Sequence, residues 1–159
     1  MTEKEYNFCI DNFASSLLRF VRKHLNNHQW AEDIVQETFA KVWEKRKDIN
    51  FQKAKSYLFT TSYHLMLNDI KKEERKENLV SNNIEANSNE FNDISDVLDL
   101  AFEKLTEKEK TSVLLRDYEG YSYEEIAQIQ DISLENVKIN IFRARVKLKQ
   151  YLVSIDNIV

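Results

Sequence analysis

Between Leu134 and Tyr151 the chain carries Lys138, Arg143, Arg145, Lys147 and Lys149 against a single acid, Glu135. Cations concentrated on one segment neutralise phosphates, and a helix bearing them fits the major groove, where side chains reach base edges. The remaining inventory offers little other chemistry. His24 and His28 stand four apart, a spacing that can reach one metal ion from a helix, but no HExxH arrangement or nearby Cys completes a ligand set. No metal site is expected. There is no Ser/His/Asp ordering, no GxGxxG and no phosphate loop, and with Gly120 the one glycine none can be built. Carboxylates such as Glu107 and Glu109 fall at helix-capping positions, so neither an enzyme activity nor a cofactor is expected.

The elements that position the basic run follow from composition. The chain has 159 residues, 42% of them hydrophobic, with one Gly and no Pro. Sandwiches and hairpins need several positions that only those two residues fill well, so the fold is expected to be all-α. The length suits one domain or two small helical ones. A formal charge of −4 gives no whole-chain attraction to phosphate, so nucleic-acid binding must use local basic faces. Cys9 alone excludes an intramolecular disulfide and points to a reducing compartment. The N-terminus has no apolar run of signal length, and no segment approaches the roughly 18 apolar residues of a spanning helix. A cytoplasmic protein without membrane insertion is expected.

Apolar periodicity predicts a helix over about 2–26, through Phe13, Leu17, Phe20, Val21 and Leu25. A second runs over about 29–46, where Trp30, Ile34, Val35, Thr38, Phe39, Val42 and Trp43 form one stripe. A polar break at 48–52 precedes a third helix from Lys53, through Tyr57, Leu58, Thr61, Leu65 and Ile70 into a charged end. Residues 78–93, rich in Asn, Ser and acids, read as a flexible polar linker. Two small helical domains, 1–77 and 94–159, result. In the second, Thr106 to Glu109 and Ser122 to Glu125 have the pattern of capping boxes, and Gly120 falls where a helix C-terminus benefits from positive φ.

After Ser122 come Ile126, Ala127 and Ile129, the break Gln130-Asp131-Ile132, and Ser133 capping a helix from Leu134. Two helices joined by so short a turn describe a helix-turn-helix. An ordinary helical hairpin shares the pattern, and the local positive charge separates the two readings. Asp131 occupies the turn position where Gly is frequent, and Asp visits the left-handed region at modest cost. At about 3.6 residues per turn, Val137, Ile141, Ala144 and Leu148 form the core stripe. Glu135, Lys138, Ile139, Phe142 and Val146 face away, flanked by Arg143 and Lys149. Ile139 and Phe142 are apolar on a non-core face, which contact with thymine methyls, or packing on another part of the protein, would explain.

The first half then becomes decisive. Asp33-Ile34-Val35-Gln36-Glu37-Thr38-Phe39, followed by Val42-Trp43, resembles the D-[LIV]-V-Q-E-[TV]-F…W segment of bacterial sigma factors. The second half, from Leu105-Thr106 through Tyr121 to Ala127 and on to Arg143-Ala144-Arg145 and Leu148, is similar to their promoter-reading C-terminal region. Two domains with only a polar linker between them resemble the extracytoplasmic-function group of the sigma-70 family. That resemblance implies an initiation subunit that binds core RNA polymerase and promoter DNA. It places Asp33, Gln36, Glu37 and Phe39 on the helix that docks the polymerase. It assigns the minus-35 element to the second domain, through Ser122, Tyr123, Glu135, Asn136, Lys138, Ile139, Phe142, Arg143 and Lys149.

For the minus-10 element the resemblance points to Asn50, Phe51, Lys53, Lys55, Ser56, Tyr57, Tyr63, Asn68, Lys71, Lys72 and Arg75. Aromatics interleaved with bases track a single strand by stacking and phosphate contact, and polar residues at 50–56 match the family's loop for a flipped base. Tyr57 shares a helical stripe with Leu58 and Thr61, so core and contact roles stay open for it. The chain departs from the family at Glu135-Asn136, where Gly-Thr is usual, and at Lys138-Ile139-Asn140, where Arg is common. Apolar residues that short domains leave uncovered suggest an anti-sigma partner. A stand-alone helix-turn-helix regulator with a dimerising or sensing N-terminal domain is the alternative. It predicts a symmetric dimer, whereas a sigma factor predicts a free monomer.

Overall fold

The computed structural model describes residues 1–79 and 94–156, and the described residues contain helices and turns but no strand. They form two compact units, residues 1–90 and 91–159. The all-helical expectation holds.

In the first unit α1 (Glu3–Arg22), α2 (His28–Lys45) and α3 (Ala54–Leu79) pack pairwise. A further capping box starts α1: Thr2 Oγ1 accepts from the Glu5 amide at 3.1 Å, and the Glu5 carboxylate accepts from the Thr2 amide at 2.8 Å. Asn27 caps α2 by accepting from the Trp30 amide. The core is a run of side chains closed to solvent, Leu17, Phe20 and Val21 of α1 against Ile34 and Val42 of α2 and Leu58, Phe59 and Met66 of α3. Phe20 meets Phe59 edge to face, with ring centroids 5.4 Å apart. Trp30 Nε1 donates to Asp69 at 3.1 Å, joining the start of α2 to the second half of α3. Two 3-10 turns, Arg46–Asp48 and Phe51–Lys53, fill the polar break.

Two boundaries differ from the sequence expectation. α1 stops at Arg22, and 23–25 form a tight turn whose amides still reach back to Arg19 and Val21. α3 continues through Asn78 and Leu79, two residues assigned above to the linker. No Gly or Pro interrupts the charged end, and pairs such as Glu73 with Lys76, 3.5 Å apart, extend a helix without any apolar stripe. The rest of the expected linker lies outside the described residues.

The second unit contains α4 (Ile94–Glu103), α5 (Glu107–Val113), α6 (Tyr123–Gln130) and α7 (Leu134–Asp156). Both expected capping boxes form, Thr106 with Glu109 and Ser122 with Glu125. After Val113 the chain widens into a π-helical segment, Leu114–Tyr118, which no sequence pattern announced. Gly120 follows at φ +74° and Asp131 closes α6 at φ +56°, the left-handed positions expected of each. Ser133 Oγ accepts from the Asn136 amide at 3.2 Å and starts α7. Val137, Ile141 and Ala144 are buried against α5 and α6, while Leu148 is half-buried.

Polar contacts fix how α7 is turned. Lys147 Nζ donates to Glu109 at 2.6 Å, and the Glu109 side chain is only 4% exposed. Burial pushes this carboxyl up. The Lys147 hydrogen bond, the bonds from Thr106 and the Lys147 charge outweigh that effect and hold it below the ordinary value. Arg145 reaches Asp117 with two nitrogens, at 3.2 and 2.6 Å, which raises the guanidinium's affinity for its proton chiefly through those hydrogen bonds. Inside the unit Ser112 Oγ donates to Gln130 Oε1, and Gln130 Nε2 donates to the Lys108 carbonyl, tying α6 to α5.

A Cβ at Gly120 meets nothing within 4 Å, so Gly120→Ala should cost only the left-handed penalty, about 1 kcal/mol, while Asp131→Gly should be neutral or slightly stabilising in thermal unfolding. The lowered Glu109 contributes stability that is complete above the ordinary carboxylate range and is lost as pH falls through its depressed native value. Glu109→Gln should therefore flatten the acid limb of stability against pH. Lys147→Met, which strands the buried charge, should cost about 3 kcal/mol at neutral pH.

Candidate nucleic-acid and protein interfaces

In the second unit, the core stripe and the two ion pairs leave one side of α7 open. Glu135, Asn136, Lys138, Ile139, Phe142, Arg143 and Lys149 are all exposed, with Ile139 at 43% and Phe142 at 70%. Arg145 and Lys147, counted above in the basic run, are engaged by Asp117 and Glu109. The open face is thus narrower than the sequence implied. It is an apolar pair, Ile139 and Phe142 one turn apart, bordered by Lys138 and Arg143. Ser122 is half-buried and its hydroxyl accepts from the Glu125 amide. Tyr123 is half-buried under the Arg116 guanidinium, which lies 4.7 Å from the ring centroid.

In the first unit, Asp33, Gln36 and Glu37 are exposed along α2, and Asp33 Oδ1 accepts from Gln29 Nε2 at 3.0 Å. Phe39 is not on that face. It is 8% exposed, its ring meets Tyr6 at 6.2 Å, and its carbonyl accepts from the Tyr6 hydroxyl at 2.9 Å. Phe39 lies on the expected helix but on its core side, on the same buried stripe as Val35 and Val42.

The segment 50–56, a 3-10 turn running into the start of α3, presents Asn50 and Lys53 to solvent, with Phe51, Lys55 and Ser56 half-buried. Asn50 Oδ1 accepts from the Gln52 amide at 3.0 Å and so shapes the turn itself. Lys55 Nζ lies 5.9 Å from the ring centroids of Phe13 and Phe59. On α3, Asn68, Lys71, Lys72 and Arg75 are exposed, but Tyr63 is 2% exposed. Tyr63, expected at the minus-10 surface, thus sits in the core. Its position follows Phe59 by one turn on the buried side of α3.

Tyr57, left open above, is half-buried and lines a cleft of about 580 Å³ between α2 and α3. The same cleft is lined by Glu37, Lys41 and Glu44 from α2 and by Thr61, His64 and Asn68 from α3. Glu37, Tyr57 and Asn68, assigned to different partners, share it. Phe8 escaped the sequence reading: it is 47% exposed, and its ring lies 5.5 Å from Phe51. The available signal was an aromatic residue off the buried stripe of a helix otherwise polar on that side.

Among the described residues no cluster of His, Cys, Asp and Glu fits a metal ion. His28 pairs with Glu32 at 2.7 Å, and His24 Nδ1 sits 2.9 Å from the Phe20 carbonyl. No described helix is long and apolar enough to cross a membrane.

Comparison with known proteins accounts for both units. Residues 9–76 match the family described as Sigma-70 region 2, and residues 95–148 match Sigma-70, region 4. The chain is 25% identical to the ECF RNA polymerase sigma-E factor of Haemophilus influenzae, over 90% of this chain and 85% of the relative. It is 27% identical to the RNA polymerase sigma factor SigV of Bacillus subtilis, over 86% of this chain and 84% of the relative. Among solved structures, it resembles the sigma factor RpoE in complex with the anti-sigma factor NepR from Bartonella quintana. The TM-score there is 0.80 at 24% identity, covering 94% of this chain and 97% of that one. With the region 2 match on the first unit and the region 4 match on the second, in that order along one chain, the protein belongs to the sigma-70 family as an alternative sigma factor of the extracytoplasmic-function group.

Proposed function

We propose that residues 1–77 bind core RNA polymerase and open the minus-10 element, and that residues 94–159 read the minus-35 element. The observation that carries this reading is the placement of one sigma-70 region on each compact unit. A stand-alone regulator would leave the match over residues 9–76 unexplained. Catalysis belongs to the polymerase, and this chain supplies promoter choice. It acts in the cytoplasm, as a monomer when free.

Asp33, Gln36 and Glu37 form the polymerase-docking edge, a patch of polar groups within about one turn of α2 that a basic partner surface complements. Around the turn at 50–56, exposed Asn50 and Lys53 and half-buried Phe51 combine the hydrogen-bonding, cationic and aromatic groups that hold an unstacked base. Lys71, Lys72 and Arg75 continue the phosphate track along α3. In the second unit, Lys138, Arg143 and Lys149 contact phosphates, while Ile139 and Phe142 meet thymine methyls. An anti-sigma factor covers exposed apolar groups until the factor is needed, a role supported by the structural likeness to a sigma factor solved with such a partner.

The test is capture of core polymerase by the tagged protein, followed by run-off transcription. Promoter-specific transcripts that require the protein are expected, and Asp33→Lys with Glu37→Lys should weaken capture by about tenfold while leaving thermal stability unchanged. Failure of the wild-type protein to associate with polymerase would overturn the reading. Methyl recognition has its own probe, because replacing thymine by deoxyuracil in the minus-35 element removes one methyl and nothing else. Binding should fall about three- to fivefold per contacted methyl, the ~0.8 kcal/mol of one buried carbon. In an Ile139→Ser holoenzyme the same replacement should cost nothing at the position that Ile139 touches.

A further inference from the structure

An exposed aromatic on α1 is absorbed by neither the core nor the assigned interfaces. Phe8 keeps 47% of its surface open, more than any other aromatic of the first unit among the exposed large apolar residues. Its ring lies 5.5 Å from Phe51 at 71° and 6.2 Å from Phe13 at 83°. Three rings from two parts of the chain thus form one edge-to-face cluster on the surface. Its far end is Phe51, in the turn that carries Asn50 and Lys53. Lys55, 5.9 Å from the Phe13 centroid, supplies positive charge along its border.

We propose that Phe8 and Phe51 form a shelf on which a second unpaired base of the non-template strand stacks, next to the base held by the turn at 50–56. The proposal rests on the minus-10 reading given above and extends its site onto α1. Continuity with that turn and the bordering lysines favour a nucleic-acid occupant over a protein. A base brings a π-face for the rings and a phosphate for exposed Lys53, which an apolar protein side chain would not complement. On the other side, Glu5 is engaged in capping α1, and Asp11 is exposed one turn beyond Phe8. That carboxylate disfavours a phosphate there, so the strand must approach Phe8 with a base inward and its backbone toward Lys53 and Lys55. Stacking accepts any base, so the shelf strengthens opening without adding to the sequence that is read.

The experiment uses reconstituted holoenzyme and single-stranded non-template oligonucleotides from a promoter at which it initiates. Affinity is measured for wild type, Phe8→Leu and Phe8→Trp, on the intact strand and on strands with one abasic site placed at each position in turn. Phe8→Leu should weaken binding of the intact strand by about tenfold, and Phe8→Trp should retain it, as expected of base–aromatic stacking. One abasic position should reproduce that loss in wild type and add nothing in Phe8→Leu. Thermal unfolding of both variants close to wild type would exclude a packing defect. If Phe8→Leu binds the intact strand like wild type while Asn50→Ala still weakens it, the shelf is wrong and the minus-10 reading stands. If the wild-type holoenzyme prefers no strand over any other, both fall. A photoreactive side chain at position 8 that cross-links to a polymerase subunit or an anti-sigma factor, and never to the strand, would also overturn the shelf.

Discussion

A carboxylate shielded from water governs the second unit. Glu109 closes the cap of α5 through Thr106 and also receives Lys147 from α7, so one side chain sets where α5 begins and which way α7 is turned. Leaving such a charge without its ammonium would be costly, which makes the rotational setting of α7 a stiff one. Arg145 and Asp117 add a second pin on the same helix, more exposed and correspondingly weaker. Their geometry depends on the π-helical segment, since Asp117 lies within it and the wider turn sets where its side chain emerges. The open side of α7, with Ile139, Phe142, Lys138 and Arg143, is what remains after these commitments.

Much of this was legible in the sequence because it depends on local rules. Helical periodicity, two capping boxes, the glycine after the π segment and the left-handed Asp131 are each decided within about one turn of chain. What the sequence concealed depends on distant partners. Nothing local distinguishes Arg145 and Lys147 from Arg143 and Lys149, and only the positions of Asp117 and Glu109 in three dimensions divide the basic run into pins and open cations. Phe39 and Tyr63 belong to motifs that suggest contact, yet burial against neighbouring helices claims them. Phe8 shows the opposite error: its neighbours in sequence are ordinary, and its relation to Phe51 exists only once α1 packs beside the turn. The assignment of each remaining exposed residue to polymerase or DNA rests on the sigma-70 resemblance, because exposure alone does not name a partner.

Charge distribution explains why such a chain acts through an assembly. The net charge of −4 repels duplex DNA at long range, while the open cations of α7 attract it only within about a Debye length, roughly 8 Å at physiological salt. A short helix-turn-helix face with two of its five cations engaged internally has few counterions to release on binding. Weak DNA affinity is therefore expected of the free protein. Joined to polymerase, the second contact becomes intramolecular, and its effective concentration replaces affinity that the helix does not itself supply. On the proposed docking role, the acidic edge of α2 matters as much to promoter choice as the basic face of α7, since it would recruit the assembly in which that face works. A strongly cationic α7 would bind DNA anywhere without polymerase. On the proposed minus-35 reading, the internal ion pairs act on selectivity as well as on stability, because each withdraws a cation from the face offered to phosphate.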